Sequence, residues 1–215
     1  MADATVLIPA YNEEATVGEV VRAARGAGYP VVVADDGSTD GTARAAEEAG
    51  ALVVRLPENR GKGAAYAAGL REVETPFVVL LDADLLGLTP EHLTALLAPV
   101  KNGEAEMSVG VFKGGRLFTD FGNRITPFLS GQRALPTKLF REVPGLERAR
   151  YDVELLLTRV AKERGWRVKY LPLYGLSQVM KEEKRGFFAG LAHRLRMYRE
   201  VLRYALSAGR TPPGQ

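Results

Sequence analysis

The 215-residue sequence contains no cysteine. That absence excludes a disulfide scaffold, a Cys-ligated zinc site and thiol catalysis, and leaves oxygen atoms as the expected ligands of any metal. Long hydrophobic runs are missing too: the longest, Phe77 to Leu81, is far too short to span a membrane. The opening residues, MADATVLIPAYNEE, carry no basic n-region and no long apolar stretch, so no secretory leader is expected. No internal repeat, low-complexity segment or obvious linker interrupts the chain. What is present, 46% hydrophobic and 26% charged residues with eight phenylalanines, is ordinary globular composition. A single domain over 1–215 in a reducing cytoplasm is the expectation.

The net charge of +3 hides an asymmetry. Residues 141–215 hold 16 Lys/Arg against 8 Asp/Glu, a net +8, which leaves 13 against 18, a net −5, in residues 1–140. An acidic front suits cations; a basic rear suits anions, a membrane surface or simple solvation. No nucleic-acid recognition motif accompanies the basic part, and nucleic acid is not an expected partner.

The first half alternates short β-rich runs with helical ones. Strands are predicted at Ala4–Ile8 (stopping at Pro9), Tyr29–Ala34, Leu52–Arg55 and Phe77–Leu81, and helices at Glu14–Ala27, Asp40–Ala49 and Lys62–Val73. That alternation implies right-handed βαβ units, and near-continuous apolar strands imply a parallel sheet covered on both faces. Further on, a short helix is predicted at Glu91–Leu97, a strand at Met107–Phe112, an aromatic stretch punctuated by Gly and Pro over Phe118–Arg133, a helix at Asp152–Glu163, a strand at Trp166–Leu173 and a helix at Gly186–Ala205. The halves read as 1–100 for a ligand-binding sheet, 101–180 for a second substrate, and 181–215 for a basic amphipathic helix and tail.

In open α/β sheets ligands bind outside the carboxyl ends of the strands. Polar residues fall there: Asn12 and Glu13, Asp35 and Asp36, Asp82 and Asp84. Asp82-Ala83-Asp84 directly after a hydrophobic strand can bring two carboxylates to one divalent cation through a tight turn, an arrangement suited to Mg2+ or Mn2+ with substrate phosphates completing the shell. In Asp35-Asp36-Gly37-Ser38-Thr39-Asp40-Gly41-Thr42, glycine allows a turn and the later residues cap a helix, but the aspartate pair is left over. A carboxylate there can accept the imide N–H of a uracil or a guanine edge. Asn59-Arg60-Gly61-Lys62-Gly63 looks like a phosphate loop, yet it is neither a Walker A sequence nor a dinucleotide fingerprint.

These four blocks, with Ile8-Pro9-Ala10-Tyr11-Asn12-Glu13-Glu14 at their head, resemble in order and spacing the family 2 glycosyltransferases with the GT-A fold, nearest to the dolichyl-phosphate mannose synthase-like and glucosyl-3-phosphoglycerate synthase-like branches. The resemblance is strong over residues 4–100. It implies an α/β domain with a mostly parallel central sheet flanked by helices, a UDP- or GDP-linked sugar donor, and Mg2+ or Mn2+. Carried over by position, Pro9, Ala10, Tyr11 and Glu13 would line the nucleoside pocket, Asp36 would contact the base, and Lys62 would face the donor phosphates. Asp82 and Ala83 would lie at the ribose, with Asp84 and Asp82 at the metal.

The same resemblance places acceptor contacts at Ser130, Gly131 and Arg133, and a catalytic acid at the start of a helix, where Asp152 and Glu154 stand; Glu154 is slightly preferred. An inverting transfer needs that base if the acceptor is a hydroxyl, whereas a phosphate acceptor is already ionised. Gln178 occupies a loop where a third metal ligand, a histidine, would have been attractive, and His193 reads as a packed or surface residue. The basic C-terminal stripe reads either as a face packed on the domain or on a second copy of the chain, or as a peripheral contact with a membrane carrying a lipid-phosphate acceptor. Two further readings stay open: a sugar nucleotidyltransferase, and a non-catalytic nucleotide-sugar-binding module.

Overall fold

A computed structural model describes residues 2–113, 130–150 and 152–178. These belong to one compact unit that ends at Gln178. The aromatic stretch before Ser130 and the helix expected over Gly186–Ala205, with His193, lie outside the described residues.

The alternating first half forms as its pattern predicts. Strands β1 (Ala4–Ala10), β2 (Val31–Asp35), β3 (Leu52–Arg55) and β4 (Phe77–Leu80) alternate with helices α1 (Val17–Gly26), α2 (Thr42–Glu48) and α3 (Lys62–Gly69). A 3-10 turn, Leu70–Glu72, continues α3. Then follow a two-residue strand β5 (Leu85–Leu86), α4 (Pro90–Lys101), β6 (Met107–Lys113), β7 (Arg133–Pro136), α5 (Thr137–Arg141), α6 (Val153–Glu163), β8 (Val168–Tyr174) and β9 (Ser177–Gln178).

The main sheet has seven strands in the order β3-β2-β1-β4-β7-β6-β8. β1 to β4 are mutually parallel, β6 and β8 are parallel, and β7 runs antiparallel between β4 and β6. A separate antiparallel pair joins β5 to β9. The sheet is mostly parallel with helices on both sides, as expected for the GT-A architecture.

Both faces are covered, which is why β1 and β2 are apolar throughout. Val6 and Ile8 join Val20 and Val21 of α1 and Leu93 and Leu97 of α4 on one side. Leu7, between them in sequence, points the other way and packs with Tyr66, Phe140, Leu156 and Leu157.

Some boundaries differ from the sequence expectation for local reasons. β1 continues through Pro9 to Ala10. Its pairing with β4 stops at Leu7, so Pro9 faces no ladder acceptor on that side and its missing N–H costs nothing. Helix α4 runs past Leu97 to Lys101 with Pro99 inside it. Its start is fixed by Thr89 and His92, whose side chains each bond the other's backbone N–H. β7 and α5 carry no apolar period and were not anticipated as elements.

Candidate functional site

The carboxyl ends of β1, β2 and β4 lie side by side, and the loops that leave them are tied together by short polar contacts. Asn12, the one non-glycine residue of positive φ among the described residues (φ 55), donates its N–H to Ser38 Oγ (2.9 Å) and accepts from the Thr39 N–H through Oδ1 (2.9 Å). Glu13 N–H donates to Thr42 Oγ1 (2.7 Å), and Glu14 Oε2 accepts from the Gly41 N–H (2.7 Å). Pro9 and Ala10 therefore end β1, and Tyr11 and Glu13 stand on the loop that leaves it, against the Asp35–Thr42 turn, with Tyr11 exposed. Asp40 bonds the Thr42 hydroxyl and N–H; burial alone would raise its pKa, but these bonds outweigh it and hold the carboxyl below its ordinary value.

The leftover aspartate pair acquires specific partners. Asp36 accepts the N–H groups of Arg60 and Gly61, one on each oxygen, both at 2.8 Å. It thereby pins the loop before α3 to the end of β2. Asp35 is fully buried, accepts the Ser38 N–H (3.0 Å) and stands 3.4 Å from the Arg55 guanidinium. Asp36 thus organises the loop that leads into Lys62, a role that residue type alone did not indicate.

Lys62, at the head of α3, is the centre of the site. Its ammonium lies 2.6 Å from Asp82 Oδ1 and 2.5 Å from Glu154 Oε1. Its head also stands 5.8 Å from the Tyr66 ring centroid, a cation–π distance. Burial would lower the lysine pKa, but the two carboxylates overcome it and hold Lys62 well above its ordinary value. The N-terminus of α3 is fixed from below: Lys62 N–H donates to the Arg150 carbonyl and Gly63 N–H to that of Ala149, both at 2.8 Å. A Cβ at Gly63 would stand 2.1 Å from the Leu146 carbonyl oxygen, so only glycine allows this approach.

Asp82 is held from three sides. Beyond Lys62, its Oδ2 accepts the side-chain amides of Gln132 (2.8 Å) and Gln178 (2.6 Å). Gly131 packs so closely that a Cβ there would lie 2.5 Å from Oδ2. Ala83 turns its methyl into the core, and Asp84 follows, 7% exposed, directly before β5. Ser130 bonds the Gly110 carbonyl and lies 2.8 Å from Gln132 Oε1.

Two expected site residues stand elsewhere. Arg133, expected to meet the acceptor, is 1% exposed; its guanidinium donates to the carbonyls of Ser130 (3.0 Å) and Glu154 (3.1 Å). Burial pushes its pKa down against the neighbouring negative charges. It braces the site from within, because a buried guanidinium must spend its donors on interior acceptors. Asp152 is exposed at the start of α6, whereas Glu154, one half-turn on, reaches Lys62. Gln132 and Tyr66 are not among the expected site residues, since Gln132 lies in an irregular stretch just before β7 and Tyr66 reads as helix core; Gln178, noted where a histidine ligand would have been attractive, arrives on the two-residue strand β9 and bonds Asp82 instead.

The donor set suits a small divalent cation. All candidate ligands are carboxylate oxygens on one tight turn, and among the described residues no group of three or more His, Asp or Glu converges, here or elsewhere, to form an all-protein cage. A site with one or two carboxylates is the kind Mg2+ and Mn2+ occupy when substrate phosphates supply further oxygens.

Residues 5–172 match the family described as glycosyl transferase family 2, and the chain belongs to that family. It is a glycosyltransferase of GT-A fold, as the motif order implied. It is 36% identical over 124 residues to an undecaprenyl-phosphate 4-deoxy-4-formamido-L-arabinose transferase of Pseudomonas fluorescens, covering 52% of this chain and 36% of that one. It is 32% identical over 123 residues to a dolichol-phosphate mannosyltransferase of Pyrococcus furiosus, covering 53% and 34%. The chain thus spans about a third of the length of these two relatives. Among solved structures, it resembles glucosyl-3-phosphoglycerate synthase from Mycobacterium tuberculosis in complex with Mn2+, UDP and glucosyl-3-phosphoglycerate, with a TM-score of 0.75 and 26% identity over 98% of this chain and 81% of that one. Among the described residues no helix is long and apolar enough to cross a membrane.

Proposed function

We propose that this chain transfers a sugar from a UDP-linked donor to a phosphate-bearing acceptor, with inversion, using Mg2+ or Mn2+ held by Asp84 with Asp82 beside it. The observation that carries this reading is the Asp82–Lys62–Glu154 cluster at the carboxyl edge of the sheet. It sets a fixed turn, a cation and a second acid around the place where the fold binds ligands. The UDP and metal of the tuberculosis synthase, and the lipid phosphates and phosphoglycerate named for the relatives, support the choice of donor and acceptor class.

The residues divide the work. Asn12, Ser38 and Thr42 hold the loop bearing Tyr11 and Glu13 against the β2 turn, shaping a nucleoside pocket. Asp36 fixes the Arg60–Gly61 backbone, so that Lys62 enters at a set height. The metal, when bound, supplies positive charge that stabilises the departing diphosphate. Glu154 is the acid placed to take a proton from a hydroxyl acceptor; a phosphate acceptor arrives already ionised and needs no base. Asp152 is left at the helix start.

A thermal-shift screen with UDP-, GDP-, ADP- and TDP-sugars, each with and without Mn2+, tests the reading. The expected result is a metal-dependent rise in Tm with UDP-sugars, absent in Asp84→Asn. A metal-independent shift, or one confined to another nucleotide, would overturn the donor assignment.

A further inference from the structure

Away from the Asp82–Lys62–Glu154 cluster, a cleft of about 880 Å3 opens between the far end of α3 and the segment that follows α5. No member of that cluster lines it. Four arginines do: Arg60, Arg71, Arg141 and Arg148, against a single acid, Glu147. Its floor is aliphatic, built from Ala67, Leu70, Val143 and Leu146.

The arginines are unequally engaged. Arg141 donates to the Val73 carbonyl at 2.5 Å, which holds its guanidinium at the cleft wall. Arg60 pairs with Glu147 at 3.0 Å, an exposed contact that solvent screens. Arg71 and Arg148 are exposed and make no side-chain hydrogen bond or ion pair with any described residue. Like charges gathered around a concavity repel one another unless an anion lies between them. Guanidinium forks suit phosphate oxygens, which they bind two at a time.

We propose that this cleft is a second ligand site, for a small phosphorylated sugar or polyol. The arginines would hold the phosphate and the aliphatic floor the carbon skeleton. The lining contains no aromatic ring on which a base could stack, which disfavours a nucleotide and separates this ligand from the sugar donor. Its concave form suits a soluble molecule that enters it; a flat membrane surface meets rim charges alone. Glu147 is the built-in competitor, since an entering phosphate must displace it from Arg60.

The test is calorimetric titration of the full chain with fructose 1,6-bisphosphate and with ribose 5-phosphate, at low and high salt. A parallel arm measures co-sedimentation with phosphatidylglycerol vesicles. Binding of the soluble phosphates that weakens with salt is expected, with the bisphosphate the tighter ligand. The double variant Arg71→Glu/Arg148→Glu should weaken it at least about tenfold, and Glu147→Gln should strengthen it by up to about fivefold. All three positions are exposed, and the gain in Glu147→Gln cannot arise from misfolding. Binding untouched by these substitutions, or association with vesicles alone, overturns the proposal.

Discussion

Lys62 and Glu154 meet at 2.5 Å although 92 residues separate them in sequence. The contact joins the head of α3 to the first turn of α6, and Asp82 closes it from the turn after β4. Lys62 is therefore a cation shared by two carboxylates before any diphosphate arrives. In the family resemblance it would face donor phosphates; here its ammonium stands between the carboxyl groups of Asp82 and Glu154. Replacing Lys62 with Met should leave two half-buried acids without their counter-ion. A loss of about 3 kcal/mol is expected, the low end for breaking a buried pair, because the lysine side chain is 22% exposed.

The pH dependence of that loss follows from the raised lysine pKa. A cationic group whose folded pKa lies above its unfolded value stabilises fully below the unfolded value, and the contribution fades as pH rises through the folded one. For Lys62 the fading begins above about 10.5. The Lys62→Met deficit in chemical denaturation should therefore be equal at pH 7 and pH 9. A deficit that shrinks between those values would show that Lys62 loses its proton there.

Asp84→Asn should keep the fold and lose the metal response. The side chain is 7% exposed, and the substitution keeps its volume while removing the charge a divalent cation requires. Turnover should fall by about a thousandfold, with Tm in metal-free buffer within a few degrees of wild type. Steady-state rates across a Mn2+ titration check it: full activity at any metal concentration would remove Asp84 from the metal site.

The first four strands, their three helices and the positions of Asp36, Asp82 and Asp84 just past strand ends and of Lys62 at the head of α3 were legible because parallel strands buried on both faces write their burial directly into sequence. Val31-Val32-Val33-Ala34 has no other use in a protein of this composition. β7 was invisible for the opposite reason. Arg133-Ala-Leu-Pro is four residues long, begins with a charge and ends in proline, and its place in the sheet is set by β4 and β6 rather than by its own pattern. The inward turn of Arg133 could not be read either, since it depends on carbonyls from Ser130 and Glu154 that only the folded chain brings together.

Gln132 and Gln178 hold Asp82 by their amides, and removing either should loosen that carboxylate without removing a charge. Gln178→Leu and Gln132→Leu are each expected to lower kcat by about tenfold, the size of effect found when a group that orients a ligand is removed. The metal concentration for half-maximal rate should rise with it. Gln178→Glu should be worse than Gln178→Leu, because it sets a second acid 2.6 Å from Asp82 Oδ2. If Gln178→Leu and wild type share both kcat and metal dependence, the amide has no part in positioning Asp82.

Arg133 separates a brace from a substrate contact. A guanidinium that touched the acceptor would, when replaced by Lys, raise the acceptor KM and leave stability alone. The buried one should do the reverse. Lysine keeps the charge but cannot reach the Ser130 and Glu154 carbonyls with one planar fork, so those carbonyls lose their donors inside the protein. Arg133→Lys should cost at least about 2 kcal/mol, seen as a fall in Tm of about 4–8 °C for a domain of this size. Its kcat should fall as well, since Glu154 is carried on the helix that Arg133 ties to β7, while the acceptor KM stays near the wild-type value. An unchanged Tm with a raised acceptor KM would return Arg133 to the acceptor site.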